Sequence, residues 1–579
     1  MPAAESKFSP SLLERLNGLP PALPFLLFAL ILIFSNFHDW DYFRAPLEAE
    51  RRSWLLDGEI PLWSYQLCGG LTRLGDPDSF GLSPSFILVI LLGSLWGAKA
   101  IMLLHALVGF YFTKRLFTDL PIWMAPAETD RVSSERIGTA LALAFALGNY
   151  FVWHLYVGHL NFSATYLSLG VIYYAAKALM CGLGRKDFIG ATLITWWFFS
   201  GGFYPGTVYL LIPLYLFLLL PIAMHFFKHL RTPERSNFLV RLSQCCGFHL
   251  LGMAGAFYKI AGVWLQQEAY PRTPADTPDE VVGIGRTFLS QFSPTIQENF
   301  AGIFPGNAAF QVHEYSAFSA ISLLALLCVG LWLISLKRKD GGTPTADTSK
   351  NLGPWIVFLL LSALLFSFGE TVWSPHRWLQ EVIYKNSVRA VGRYQIFVHF
   401  SLALFVLYSV HKHSQLSAFI DRYGSALVTL VIILNFSTFL PKMSLSDLQE
   451  QLSLELRVPA KMQKITVTSE IKRAPSVLKG HALLNCYSGL THPMRFMKDG
   501  LWYSPNKEGY YEHTMQLLHH PRAELSATCT NESYFTQHEI VISESCPEHT
   551  CIQLNDLSPR DKQNFVYDRK VKRFCTAPK

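Results

Sequence analysis

Long apolar runs recur between residues 20 and 441, and a chain with that pattern is committed to a membrane before any other feature is considered. Several of these runs are long enough, as helix, to cross about 30 Å of hydrocarbon. Composition agrees: 50% of the 579 residues are hydrophobic and only 16% charged, with a mean hydropathy of +0.24. Soluble domains carry about 25% charged residues. The expected spans are approximately 20–37, 97–113, 137–155, 162–180, 187–203, 205–226, 243–264, 316–336, 353–370, 391–411 and 424–441. This predicts a polytopic α-helical membrane protein of about eleven transmembrane helices. The count shifts by one or two with Pro84–Trp96, which reads as a re-entrant or interfacial helix.

Basic residues set the orientation. With the N-terminus in the cytoplasm, every cluster falls on the cytoplasmic side: Lys114/Arg115/Arg131/Arg136, Arg185/Lys186, Lys228/Arg231/Arg235/Arg241, Lys337/Arg338/Lys339 and Lys412/Arg422. The net charge of +7 is therefore a topology signal and not a nucleic-acid signal. The first segment follows Lys7 and Arg15 and lacks a small-residue cleavage site, so it is expected to remain as an anchor. Thr118 to Ile137 reads as a polar cytoplasmic connector.

The chain divides into a membrane domain, 1–441, and a polar C-terminal domain, 442–579, expected to be extracytoplasmic and β-rich or α/β. The latter opens on an amphipathic piece, Ser444–Leu456, and has strand-like stretches at Lys464–Thr468 and His538–Ser543. Cys486, Cys529, Cys546, Cys551 and Cys575 lie there, so one or two disulfides are expected, with the odd thiol left over or paired to Cys68. Cys546–Cys551 does not have a zinc spacing, and Asn531-Glu532-Ser533 matches a glycosylation sequon.

The first outer loop, 36–84, carries more structure than a connector needs. Asp39 and Asp41 follow the first span directly. A helix-compatible piece, Tyr42–Leu56, holds Glu48, Glu50, Arg51 and Arg52 and is closed by Gly58 and Pro61. Trp63, Tyr65, a Gly69–Gly70 turn and Asp76-Pro77-Asp78 follow. Carboxylates at the membrane boundary suit a general base that takes a proton from an acceptor hydroxyl. The Asp-x-Asp spacing also suits a divalent cation, magnesium or manganese, held through oxygen; the plain alternative is helix capping. Elsewhere, His154 and the run His159-Leu160-Asn161 form an outer helix–loop–helix corner, suited to sugar hydroxyls or to capping. Gly201–Gly206 reads as a tight turn. Lys259 lies within an apolar segment, functional or snorkelling. The second large loop, 265–315, carries Glu268, Arg272, His313 and Glu314. Arg389 and Arg393 open a later span from the outer side, against the charge trend, and suit a phosphate or a lipid headgroup. Neither a phosphate-binding Walker loop nor a dinucleotide fingerprint occurs, so a sugar donor here would have to be carried by lipid.

This architecture resembles the GT-C superfamily of integral-membrane glycosyltransferases, and His38 to Pro84 (HDWD…A…E…RRS…L…G…PLW…CGG…DPDS…LSP) resembles its bacterial YfhO-like branch. That branch has the form PLWNPYxCGG followed by NPQ; this chain has Ser64 and Asp76 for the asparagines and Asp78 for the glutamine. Gly158-His159, Lys259, Pro271-Arg272, His313-Glu314 and Arg389/Arg393 extend the likeness along the membrane domain. The resemblance implies a polyprenyl-phosphate-sugar donor in a bacterial cytoplasmic membrane, and an envelope glycan, lipid or protein as acceptor. It implies Asp41 or Asp39 as base or acceptor-positioning group, with Asp41 favoured. Arg389, Arg393, Lys259 and Arg272 are the candidate phosphate-binding cations. His159, Asp76, Asp78, Glu268, His313 and Glu314 are candidate acceptor or sugar contacts. Two other classes compete: a transporter or flippase of lipid-linked sugar or polymer, which should show internal repeats and paired broken helices, and a non-catalytic scaffold.

Overall fold

The computed structural model describes residues 22–35, 38–58, 60–61, 63–64, 71–73, 76–124, 131–216, 234–269, 318–337, 360–362, 375, 378–379, 391–440 and 443, and short strands between 464 and 576. Helix α1, Ala22–Phe34, is apolar on every side, as suits a segment whose solvent is lipid on one face and protein on the other. Its last carbonyls need donors. Lys99 supplies them from the next span, donating to Ile33 O at 2.8 Å and Ser35 O at 3.1 Å. The same ammonium lies over the Trp40 and Trp96 rings.

Helix α2, His38–Arg52, starts four residues earlier than the sequence suggests and takes Asp39 and Asp41 into its first turn. Packing decides this: buried Trp40 donates its indole N–H to Tyr156 O at 2.9 Å. The helix ends in a π-helical turn, Ser53–Asp57, closed by Gly58 at φ 63°. Two short strands follow, β1 (Trp63–Ser64) and β2 (Leu71–Thr72), paired antiparallel.

Helix α3, Ile87–Met124, corrects one expectation and bears on another. The backbone breaks at Gly93, φ 84°, and folds back so that a Cβ on Gly97 would collide with the Val89 backbone. The piece before Gly93 is turned against the start of the span and does not continue it, consistent with the re-entrant or interfacial reading of Pro84–Trp96. The span also runs on through Thr118, and α4, Arg131–Ala146, begins six residues before Ile137. The polar residues read as a connector are accommodated within helix: Tyr173 donates to Asp119 at 3.1 Å, and Lys114 pairs with Glu135 at 3.0 Å.

Then come α5 (Asn149–Tyr156), α6 (Leu160–Ser163), α7 (Thr165–Cys181), α8 (Arg185–Ser200) and α9 (Tyr204–Leu216). The segment expected at 243–264 is two helices, α10 (Glu234–Gly255) and α11 (Phe257–Ala269), bent by 71° at Ala256. Helices α12 (Ala320–Lys337), α13 (Gln395–Lys412) and α14 (Ser414–Ser437) are the remaining long helices among the described residues; most of the span expected at 353–370 lies outside them. Among the described residues, five helices are long and apolar enough to cross a membrane, six if the bent pair is one span.

The core of the bundle is aromatic and closely fitted. Phe151 stacks on Tyr166 at 4.1 Å, and Tyr166 donates to Ala146 O at 2.6 Å. Gly109 of α3 lets α7 approach: a Cβ there would lie 2.6 Å from the Tyr166 side chain. Small residues serve this purpose in membrane bundles. Gly109→Val is therefore expected to cost about 1–3 kcal/mol through overpacking. A thermal-unfolding midpoint in detergent equal to the parent's would refute it.

Beyond 443, six strands form one sheet in the order β10 (Arg573–Thr576), β9 (Asn564–Asp568), β8 (His549–Leu554), β7 (Glu539–Ser543), β3 (Lys464–Thr466) and β4 (His481–Leu483). All its pairs are antiparallel except β3 with β4. Strands β5 (Tyr510–Tyr511) and β6 (Thr530–Asn531) pair separately. Cys551 and Cys575 both register with Val566, from opposite sides. Two strand spacings, about 9.6 Å, separate them, beyond the Cα span of a disulfide. Cys68, Cys486, Cys529, Cys546 and the amphipathic piece 444–456 lie outside the described residues.

Candidate functional site

The site grows from the buried face of α2. Glu50 is fully buried there, and its carboxylate accepts from Arg73 Nε at 2.8 Å. Arg73, just past β2, also ion-pairs with Asp76. Burial draws the Arg73 guanidinium down, but the Asp76 and Glu50 carboxylates outweigh it and hold its pKa above the ordinary value. The other Asp76 oxygen accepts the Asp78 backbone N–H at 2.9 Å, closing a turn over Pro77.

Lys259 locks that turn from the far side. Its ammonium donates to Asp76 O and, at 2.8 Å, to Ser79 O. It is buried near the start of α11, so two of its three N–H donors are committed to loop backbone. An ammonium that donates to two carbonyls in the field of the Asp76, Glu50 and Asp78 carboxylates explains how an intramembrane lysine is tolerated.

The loop then docks on the corner 154–161. Asp78 accepts from Asn161 Nδ2 at 2.7 Å. Phe43 meets the His159 ring edge-on at 5.3 Å, and Trp40 covers Gly158. Gly158 sits at φ 101°, and a Cβ there would lie 2.9 Å from the Trp40 backbone. His154 and His159 share one Nδ1···Nδ1 hydrogen bond of 3.1 Å, so one of the two nitrogens donates and the other accepts. Phe162 stacks on His154 at 3.8 Å, and the Arg393 guanidinium lies 4.9 Å from the Phe162 ring centre and 5.9 Å from that of Tyr209. The turn at Gly201–Gly202 packs here too: a Cβ on Gly202 would lie 2.7 Å from the Asn161 backbone.

Of the residues singled out in the sequence, Asp76, Asp78, Lys259 and His159 converge on one assembly, and Arg393 reaches it through Phe162. Asp39 and Asp41 are placed by backbone alone, in the first turn of α2 and two to four residues ahead of Phe43. Glu268 is likewise placed by backbone alone, in α11. Arg272, His313, Glu314 and Arg389 lie outside the described residues. Among the described residues no three His, Cys, Asp or Glu side chains converge as metal ligands. Asp76 and Asp78 are engaged by Arg73 and Asn161. Sequence reasoning missed Arg73 entirely and noted Glu50 only as a helix charge. An arginine three residues before Asp76 in a Gly-rich stretch was the available sign.

Fold and site together define a polytopic helical membrane protein in which the described residues of the first loop fold back as a charged cap on the helix ends. No protein-family model matches the chain, and no curated protein matches it. Among solved structures it is similar to ArnT from Cupriavidus metallidurans bound to undecaprenyl phosphate. The identity is 11%, 80% of this chain and 84% of that chain are covered, and the TM-score is 0.39. That likeness is too loose to assign a role to any residue.

Proposed function

We propose that the protein is a GT-C-type membrane glycosyltransferase that moves a sugar from a polyprenyl-phosphate donor to an envelope glycan, lipid or protein. The observation that carries this reading is the folding of the first loop onto the corner 154–161, which gathers carboxylates, a histidine pair and Arg393 where the spans end. The first-loop side is taken as extracytoplasmic, from the distribution of basic residues.

In this reading Asp41, or Asp39, removes the proton from the acceptor hydroxyl as its oxygen attacks the anomeric carbon. The bond from that carbon to the phosphate oxygen breaks, and the electron pair leaves with the phosphate. Arg393, with Arg389 and Arg272, neutralises the developing charge. A single displacement of this kind inverts the anomeric centre. Asp78, His159, Glu268, His313 and Glu314 orient the acceptor and sugar, while Asp76, buried against Arg73, holds the loop that carries Asp78.

The test is complementation of a deletion strain with Asp41→Asn and Asp39→Asn, read by mass spectrometry of envelope glycans with membrane protein levels checked in parallel. One of the two is expected to lower transfer about 10²–10⁴-fold, the contribution of a general base. Wild-type glycans from both variants, in a strain whose deletion loses the modification, would reject the assignment.

A further inference from the structure

We propose that His105 is a positioning residue: its buried imidazole ties the end of the first loop to α6 and so sets how Asp78 and Asn161 are presented to a ligand. The effect on activity follows only if the protein is the transferase proposed above; the fastening of the loop does not depend on it.

His105 lies in α3, fully buried, and the proposed reaction makes no use of it. The fold-back at Gly93 returns Ser85, in the turn Pro84–Phe86 at the end of the first loop, to its side. Ser85 Oγ lies 2.8 Å from His105 Nε2. On the other side of the ring, Oγ of Ser163, the last residue of α6, lies 2.9 Å from His105 Nδ1.

The hydrogens around the ring follow by elimination. Trp197 of α8 has only its indole N–H to give, and it donates to Ser85 Oγ at 2.7 Å. Ser83 donates its hydroxyl to the same oxygen at 3.4 Å. Both lone pairs of Ser85 Oγ are then taken, and its own hydrogen goes to His105 Nε2. The imidazole is therefore neutral, with its proton on Nδ1 and donated to Ser163. A proton on Nε2 would set two hydrogens against each other at Ser85. One tautomer in one ring orientation thus spans the loop, α3, α6 and α8. Phe80 and the edge-on Trp197 flank the ring, with centroids 6.4 Å and 5.6 Å away.

The consequence for the site is geometric. Asp78 accepts from Asn161 at 2.7 Å, a contact that fixes one point between the loop and α6. The path from Ser85 through His105 to Ser163 is a second rung between the same two segments, further along each. Two rungs fix direction as well as position. Lys259 holds the loop from the α11 side, at Asp76 and Ser79. The stretch between the rungs is closely packed: a Cβ on Gly201 would lie 3.2 Å from Phe80 and 3.4 Å from Ser83 Oγ.

The test uses the full chain in nanodiscs, with His105→Phe and His105→Gln. Phenylalanine keeps a ring among the aromatic neighbours but has neither nitrogen. Glutamine loses the ring, yet its amide offers one acceptor and one donor, the pair that Nε2 and Nδ1–H supply. Hydrogen exchange read by mass spectrometry follows peptides 76–86 and 159–164. Their amides include Ser79 and Ser83, bonded to Asp76 O and Phe80 O, and Phe162, bonded to His159 O. Glycan transfer per molecule of membrane protein is read in the deletion strain, beside Asp39→Asn and Asp41→Asn. His105→Phe is expected to lose protection in both peptides and to lower transfer about 10²-fold, the cost of a misplacement of about 1 Å. His105→Gln is expected to stay closer to the parent in both readouts. Ser163→Ala removes one acceptor and little volume; a smaller change of the same kind is expected, and it stands in if His105→Phe does not insert. Parent-like exchange in these variants, or a loss in His105→Gln as large as in His105→Phe, would mean that the ring only packs, and would overturn the proposal. Lost protection with parent-level transfer, where an aspartate variant has lost transfer, would overturn it as well. If neither aspartate variant lowers transfer, the transferase reading fails by itself, and the exchange result still decides whether His105 fastens the loop.

Discussion

Replacing Arg73 with methionine is expected to lower the stability of the solubilised protein by about 3–5 kcal/mol, the cost of removing one partner from a buried ion pair. Methionine approximates the aliphatic stem, so little volume is lost; what goes is the positive charge. Glu50 and Asp76 would then face each other across a site that water does not reach. Lys259 cannot take over, because its ammonium is directed to the Asp76 and Ser79 carbonyls. Adding Glu50→Gln to Arg73→Met should recover part of the loss, since the two residues are in contact and their effects are not independent. The measurement is the unfolding midpoint in detergent for the two single variants and the double. A loss under about 1 kcal/mol for Arg73→Met, the range of exposed ion pairs, would show that the network is solvated.

Gly158→Ala is expected to abolish most activity with much less effect on the amount of protein in the membrane. The position combines a left-handed backbone with contact against Trp40, and each by itself opposes a side chain. The strain alone is worth about 1–3 kcal/mol. Relief requires Trp40 to move, which breaks its hydrogen bond to Tyr156 O and shifts the first turn of α2, where Asp39 and Asp41 reside. A misplacement of about 1 Å in such a group costs about 10²-fold in rate. Gly182→Ala supplies the control. Gly182 also has positive φ, 81°, but its nearest neighbour to a new Cβ is a side-chain oxygen at 3.5 Å, away from the loop. Equal loss of the proposed transfer in the two variants would mean that strain, and not position, is responsible.

What could be seen in the sequence divides along physical lines. Apolar runs report burial in lipid residue by residue, so five or six of the expected spans are legible among the described residues, as are the charged first loop and the corner at His154–Asn161. Helix ends were less so. The sequence put the start of α2 at Tyr42, whereas the anchoring of Trp40 on a residue 116 positions away extends it back to His38. Thr118 and Asp119 look like loop by composition, yet Tyr173 gives Asp119 a partner inside the bundle. The pairing of Arg73 with Glu50, 23 residues apart, follows no period, and the anchoring of Lys259 on the first loop spans 183 residues. Such contacts are set by how the chain returns on itself, which no local pattern records. For the same reason Lys259 was legible as an exceptional residue but not as the clasp of the first loop.

That clasp has a consequence for biosynthesis. Glu50, Arg73 and Asp76 together carry one excess negative charge, and the balancing charge arrives only with Lys259. At about 5–20 residues per second, the 183 residues separating Asp76 from Lys259 take about 10–40 s to synthesise. Throughout that interval the three residues lack that charge and the loop is unfastened. A nascent chain stalled before α11 would therefore present an open loop, and completion of the broken helix is what closes it.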